Sequence, residues 1–377
     1  MAEKNRQHYV PKFYLRNFSD NLNAIDTFNL TNAKYIQNAS IKDMCQRHNF
    51  YGADNRIENF LNEVIETKAC LLIRQVLETN EFPQTMQDYV HLFMFLLVSE
   101  ARNLKVAESA NHTVDMLAKA ILEQHPDFQD FDLDKFTIKL NEPATYNIQT
   151  AIEGTPLVLD LKPLLIVEQT GGARRFITSD NPLIRYNSFY LSKNYPGGFG
   201  YINRGAQFFF PISPHKCILL YDEKAYDIPD QQDHILILKK AKDVDQLNEM
   251  FYLNAHNNVF FNQKTKKEYI EGLHHKSRRE PKIGDLERET IAFKAEDPQG
   301  GKLLHFSHNR VRKKFHFSWM KISKFAESLI IPAHMGGINR TESLFIREFL
   351  EKRDLEFAQE RPHLVKNSLD LKISQKL

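Results

Sequence analysis

One stretch near the start of the chain, Gln7-His8-Tyr9-Val10-Pro11-Lys12-Phe13-Tyr14-Leu15-Arg16-Asn17-Phe18, constrains the fold more than any other. It sets a histidine, a proline that fixes the backbone and four spaced aromatic rings at an end where most domains fray. Rings of that size are expected to be buried, so this terminus is predicted to be integral structure. The chain is long enough to bury them. At 377 residues it can enclose a large core, and its length favours two or three structural regions.

Lys and Arg number 50 and Asp and Glu 48, a formal charge of +2. That balance neither demands a nucleic-acid partner nor excludes a local basic site. Cys45, Cys70 and Cys217 show no paired short spacing, and the polar start Met1-Ala2-Glu3-Lys4-Asn5-Arg6 is unlike a secretory signal. A reducing, cytoplasmic setting is expected. The most apolar short stretch, 92–98, is far below the roughly 20 residues that cross a bilayer, so no membrane span is expected.

Residues 7–40 mix aromatic and β-branched positions with Asp20-Asn21 and Asn29, which predicts short strands and loops. Apolar residues at mixed three- and four-residue spacing then predict helices over 55–77, 87–105 and 109–123. Residues 126–134 read as an acidic connector. Strand patterns follow at 164–167, 175–177, 207–210, 217–221 and 234–238, with Gly171-Gly172 suited to a hairpin turn between two of them. A helix is predicted over 244–259, and helices resume over 286–293 and 341–357.

The expected class is α+β. It comprises an N-terminal strand-containing aromatic cap over 1–55, a helical region over 56–135, a central antiparallel β region with a helix over 150–262, and a mainly helical C-terminal extension over 280–377. Contacts between these regions could make them one continuous globular unit.

His8-Tyr9-Val10-Pro11, followed by Tyr14-Leu15 and Phe18, resembles the start of the DUF4238 family, a group of mostly prokaryotic proteins. The run from Cys45 to Tyr51 is similar to that family too, as are Phe176-Ile177-Thr178-Ser179-Asp180-Asn181-Pro182, Phe210-Pro211-Ile212-Ser213-Pro214 and Asn254. The resemblance spans residue 7 to about residue 260. Some family members look like components of microbial defence loci, which implies a nuclease or effector as one expectation.

His8 is the first chemical candidate, because an imidazole serves as acid, base or metal ligand near neutral pH. The competing role is a packed ring bonded to a backbone carbonyl. Asp180, flanked by Ser179 and Asn181, follows a strand pattern and could project toward a pocket, or cap its own turn. His215, after Ser213-Pro214, is a second histidine of the same kind. Glu63 and Glu66, three apart on a predicted helix with Glu58 nearby, could share a face and bind a cation. Cys45 and His48 are close enough in sequence to share zinc, but no further ligands accompany them, so zinc is not expected. Cys45 is alternatively a nucleophile, or simply a buried thiol. Glu100-Ala101-Arg102-Asn103 is either an internal ion-pair network or a wet helix face. Arg310, Arg312 and Lys313, beside Phe315, Phe317 and Trp319, could combine phosphate contacts with stacking, or form a solvated loop.

Together these residues lead to the expectation of a metal-dependent phosphodiesterase or nuclease, as a microbial defence effector. Mg or Mn would be held by Asp180, Glu63 and Glu66, and His8 or His215 would activate water. Ser179, Asn181, Arg310, Arg312 and Lys313 would hold a nucleic acid or nucleotide. The alternatives are a ligand-sensing module without chemistry and a cysteine-dependent enzyme using Cys45. No organic cofactor is indicated, and self-association is left open.

Overall fold

The computed structural model describes residues 6–123, 125–128, 131–172, 174–195, 199–283, 286–296, 302–310, 313–331 and 337–360. The opening segment forms β1 (Arg6–His8), α1 (Lys12–Arg16), the hairpin β2 (Ala24–Asn29) and β3 (Lys34–Ser40), and β4 (Gln46–His48), which pairs antiparallel with β1. Pro11 precedes the first turn of α1, and α1 turns Tyr14 and Leu15 fully inward. The Tyr14 hydroxyl donates to the Pro211 carbonyl at 2.6 Å and contacts the Thr178 hydroxyl at 2.5 Å. The terminus is therefore tied to strands almost two hundred residues away, with Val10, Leu15 and Phe18 completely buried beside it.

The helical region runs through α2 (Arg56–Phe60), a wide π-turn over Leu61–Glu66, α3 (Thr67–Thr79), α4 (Met86–Ala101), α5 (Leu104–Leu122) and α6 (Pro143–Glu153). Thr85 caps α4 by accepting from the Asp88 amide. The single helix expected over 87–105 is broken at Arg102-Asn103. Asn103 supplies the reason: its side chain accepts from the Val106 amide at 2.9 Å and starts a new helix. Its amide also donates to Asn181 Oδ1 at 2.8 Å. Asn103→Ala is expected to destabilise the fold by about 1–2 kcal/mol, measured by urea denaturation. An unchanged midpoint would show that the cap contributes nothing.

The central region contains β5 (Lys162–Glu168), β6 (Thr178–Ser179), β7 (Ile184–Tyr186), α7 (Ser188–Ser192), β8 (Gln207–Ser213), β9 (Lys216–Tyr221), β10 (Tyr226–Asp227), β11 (Ile235–Leu238), α8 (Ala241–Asn254) and β12 (Asn258–Phe261). A five-stranded sheet has the order β11-β5-β9-β8-β7, antiparallel except for the parallel pair β11-β5. A four-stranded antiparallel sheet has the order β3-β2-β12-β6. The first sheet is buried on both faces, which explains its near-continuous apolar strands. Leu165, Phe208, Phe210, Ile218 and Leu220 face the N-terminal segment and helices, while Leu164, Ile166, Phe209, Cys217 and Leu219 face a second cluster that includes α8 residues.

Several expected boundaries shift. The segment 175–177 is not itself a strand; pairing begins at Thr178. Gly171-Gly172 does form a turn with φ of +69° and +84°, but the strands on either side lie in different sheets, so it is no hairpin. The helix expected over 244–259 ends at Asn254, and Val259 lies in β12.

The C-terminal part comprises α9 (Lys267–Ser277), β13 (Leu286–Glu296), β14 (Lys302–Arg310), β15 (Lys321–Ile322), α10 (Lys324–Ser328) and α11 (Leu344–Glu360). The helix predicted over 286–293 is instead a strand: β13 pairs antiparallel with β14. Eight residues of mixed pattern cannot separate the two periods, and a partner strand nearby decides the outcome. The architecture is thus α+β, with the helices α9, α10 and α11 in its C-terminal part.

Candidate functional site

The best-built polar pocket lies beneath β1. Gln7 is fully buried and fixes this strand to the following loop. Its amide donates to the Gly52 carbonyl at 2.8 Å and Asn55 Oδ1 at 3.1 Å, and its Oε1 accepts from the Tyr51 amide at 2.6 Å. Gly52 has φ of +101°, a conformation that favours glycine, and an added Cβ would meet Glu142 at 2.7 Å. The neighbouring residue along β1, His8, then opens into a pocket of about 220 Å³ with Arg6, Lys12, Lys42, Asp43, Gln46, Glu58, Asn62 and Glu66.

Glu58, Asn62 and Glu66 reach that pocket from one helical rod at four-residue steps. In a straight α-helix such steps drift by about 80° over eight residues. The π-turn over Leu61–Glu66 lies between them and opposes the drift. Side chains satisfy carbonyls around the widened turn: Asn62 donates to the Glu58 carbonyl at 2.8 Å, Thr67 to that of Asn62 at 2.8 Å, and the His91 ring lies 3.0 Å from that of Ile65.

Arg102, at the break between α4 and α5, is completely buried behind the pocket. It donates to Glu66 Oε1 at 2.6 Å, the Tyr51 hydroxyl at 3.0 Å and the His8 carbonyl at 2.5 Å. The Glu100 to Asn103 segment therefore forms an internal network. Glu100 completes it on the other side with a pair to Arg185 at 2.7 Å.

The two titratable groups of interest are displaced in opposite directions. Burial lowers the His8 imidazole, with Lys12 and Arg102 adding to the effect against the Lys42 carbonyl, which lies 3.1 Å from Nε2, and the Glu66 charge. Burial raises the Glu58 carboxyl; Arg102 opposes this, and the Glu66 charge adds to it. Glu58 is 6 % exposed and its Oε2 has no hydrogen-bond partner. A base that sheds its proton readily and an acid that retains one thus share a pocket with Arg6, Lys12 and Lys42.

The remaining expected site residues lie elsewhere. Glu63 is exposed and does not line the pocket, whereas Glu66 is turned to Arg102. Asp180 is 1 % exposed, and its oxygens accept from the amides of His256, Asn257 and Asn258 at 2.8, 2.8 and 3.0 Å. Burial raises its carboxyl, and those three amides pull it back. Ser179 accepts from the Asn181 amide and donates to the Asn181 carbonyl, a closed local turn. Asn181 exchanges bonds with Asn254: its amide donates to the Asn254 carbonyl, and the Asn254 amide donates to the carbonyls of Asn181 and Leu183.

His215 is half exposed and bonded to Glu168 at 2.8 Å. Cys45 is buried, which pushes its thiol well up; His48 is exposed. A thiol so displaced supplies little thiolate at neutral pH. Lys313 pairs with Glu249 at 2.9 Å and Glu280 at 3.2 Å. Arg312 lies outside the described residues, and for Arg310 only its backbone place at the end of β14 is described. Among the described residues no three His, Cys, Asp or Glu side chains converge as a metal-ligand set. Among them, too, no helix is long and apolar enough to cross a membrane.

Sequence reasoning paired Glu63 with Glu66 because three-residue spacing shares an α-helical face. It passed over the eight-residue pair Glu58 and Glu66, whose alignment depends on a π-turn that spacing does not announce. The four-residue ladder Glu58, Asn62, Glu66 is the signal that could have found them. Lys12 and Lys42 carried no such mark.

No curated protein and no solved structure matches the chain. The family model described as "Protein of unknown function (DUF4238)" matches residues 6–265, well over half the chain and including the whole pocket beneath β1. The chain therefore belongs to the DUF4238 family.

Proposed function

We propose that the pocket beneath β1 cleaves phosphodiesters, with His8 as general base and Glu58 as general acid. The observation that carries this reading is the unpartnered, buried Oε2 of Glu58 in the same pocket as His8. A buried carboxyl with one oxygen unpartnered, which burial raises against Arg102, the His8 amide and Asn62, favours its protonated form and has a proton to give to a leaving oxygen. His8 would take the proton of the attacking hydroxyl or water. Arg6, Lys12 and Lys42 would hold the phosphate and oppose its developing charge. Arg102 would act as a positioning residue, fixing the His8 backbone and Glu66.

Magnesium or manganese, if used, would need only one or two carboxylates, with water completing its shell. Asp43 and Glu66 are the pocket carboxylates that would serve, which leaves Glu58 its proton. The acid–base pair operates with or without such an ion, so a chelator separates the two cases.

Single-stranded RNA and DNA oligonucleotides, incubated with the protein with and without EDTA and analysed by mass spectrometry, test the proposal. Glu58→Gln and His8→Gln are each expected to lower turnover about a hundredfold or more while leaving the thermal midpoint close to that of the parent. The pH profile should be a bell. Activity is lost as pH falls through the lowered His8 pKa, since the base must be neutral. It is lost again as pH rises through the raised Glu58 pKa, since the acid must keep its proton. The acid limb is expected below the ordinary imidazole value of 6.5 and the alkaline limb above the ordinary carboxyl value of 4.5. Absence of cleavage, or cleavage untouched by both substitutions, sinks the proposal.

A further inference from the structure

A pocket of about 270 Å³ lies between the turn at Gly172 and the N-terminus of α9, lined by a residue set separate from that of the pocket beneath β1. Arg174, Arg175, Lys264 and Lys266 bring four cations to it, and among the described residues that line it none is a carboxylate. Two of the four are engaged. Arg174 pairs with Asp245 and stacks on the Tyr269 ring at 4.7 Å, and Lys264 makes an exposed pair with Asp20 at 3.7 Å. Arg175 and Lys266 form no ion pair among the described residues; the Arg175 guanidinium is placed by a bond to the Lys264 carbonyl at 3.3 Å.

Two further features call for an acceptor. Thr265, also in the lining, is 7 % exposed, yet its buried hydroxyl has no hydrogen-bond partner. Such a group is unfavourable in the free protein and gains from an acceptor that enters. Lys266 is the N-cap of the eleven-residue α9 and supplies no side-chain cap, so the helix starts beside the pocket with uncapped amides. The first-turn carboxylate Glu268 lies outside the lining. The volume falls short of the roughly 300–1,000 Å³ that encloses a whole ligand. At Gly172 an added Cβ would meet nothing within 4 Å, so that side is open. The pocket suits a compact anionic group whose remainder stays outside.

We propose that this pocket is a phosphate site, taking a phosphate dianion, free or as the end group of a small monoester, between Arg175, Lys266, the Thr265 hydroxyl and the first amides of α9. The assignment stands whether or not the pocket beneath β1 is catalytic, because it uses other residues and a local binding readout.

The test is calorimetric titration of the full chain at about pH 8 and constant ionic strength with inorganic phosphate, glycerol 3-phosphate and dimethyl phosphate. Saturable binding of the two dianions is expected, with the diester monoanion at least about tenfold weaker. Glycerol 3-phosphate binding tighter than phosphate identifies a monoester as the ligand, and the reverse order identifies free phosphate. Hydrogen exchange should slow at amides 266–269 when the dianion is added, which separates this site from the pocket beneath β1. Arg175→Gln and Lys266→Gln should each weaken the dianion about tenfold, and Thr265→Val about fivefold. If the valine variant does not fold, the two glutamine variants, changed at partly exposed or exposed positions, carry the test. No saturable binding, a diester that binds as tightly as the dianions, unchanged exchange over 266–269, or folded glutamine variants that bind phosphate like the parent would overturn the proposal.

Discussion

Asp180→Ala is expected to destabilise the protein by about 3–6 kcal/mol, enough to consume much of the stability of an ordinary domain. Three consecutive backbone amides, those of His256, Asn257 and Asn258, end on its two oxygens. They lie in the short passage from α8 to β12, where the chain leaves a helix and enters the middle of the four-stranded sheet. Alanine leaves all three donors without their acceptor. Each buried donor so stranded costs about 1–3 kcal/mol, and partial entry of water sets the total below the sum of the upper values. Asp180→Asn retains one carbonyl oxygen and should lose about half as much. Chemical denaturation followed by circular dichroism reads both. A midpoint for Asp180→Ala within error of the parent would refute the clamp. Loss of activity in this variant, with its midpoint lowered, would therefore report on folding rather than on chemistry.

Arg340→Ala is expected to cost about 3–5 kcal/mol for a related reason. Arg340 lies beyond the family-matched residues, yet its side chain is 1 % exposed. It makes a two-pronged pair with Asp160 at 2.8 and 3.0 Å, and donates to the carbonyls of Leu157, Tyr201 and Asn203 at 2.8, 2.9 and 2.7 Å. Removing the guanidinium strands the Asp160 charge and three acceptors together. Lysine keeps the charge but not the fork, so Arg340→Lys should recover only a minor part of the loss. Hydrogen exchange offers a local readout: amides in the turn over 201–206 should lose protection in the alanine variant before those of the five-stranded sheet. Unchanged exchange there, with unchanged stability, would show that this arginine is dispensable.

Much of the fold was legible because burial on two faces leaves a strong trace. The runs at 164–167, 207–210 and 217–221 are apolar at nearly every position, and they are the inner strands β5, β8 and β9. The helices over 55–77 and 109–123 were visible from their three- and four-residue apolar spacing. Failures came where a local signal competed with a distant partner. Asn103 ended one helix and began another inside an unbroken apolar pattern, and 286–293 became a strand by pairing with 302–310.

The candidate site was half legible. His8 and Glu66 stood out by chemistry and meet in one pocket. Asp180 drew notice as a polar residue after a strand, although its oxygens are occupied by backbone. Composition cannot say which way a carboxylate turns. Arg102 stood in a run read as either an internal ion-pair network or a wet helix face, and its bonds to Glu66 and the His8 carbonyl decide for the network.

The placement of β12 has a consequence for how this protein is made. β2 meets its hairpin partner β3 at once, but its other edge stays open until Asn258–Phe261 has been synthesised, and β6 closes onto the far side of that same late strand. Tyr14 likewise waits for Thr178 and Pro211. This early segment is thus among the last to find its seat, with an open strand edge and several aromatic rings on offer meanwhile. Such an edge is a template for pairing with other chains. Nascent chains arrested before residue 258 should therefore engage chaperones and resist release as soluble fragments, whereas those extended through the C-terminal clasp of Arg340 should let go.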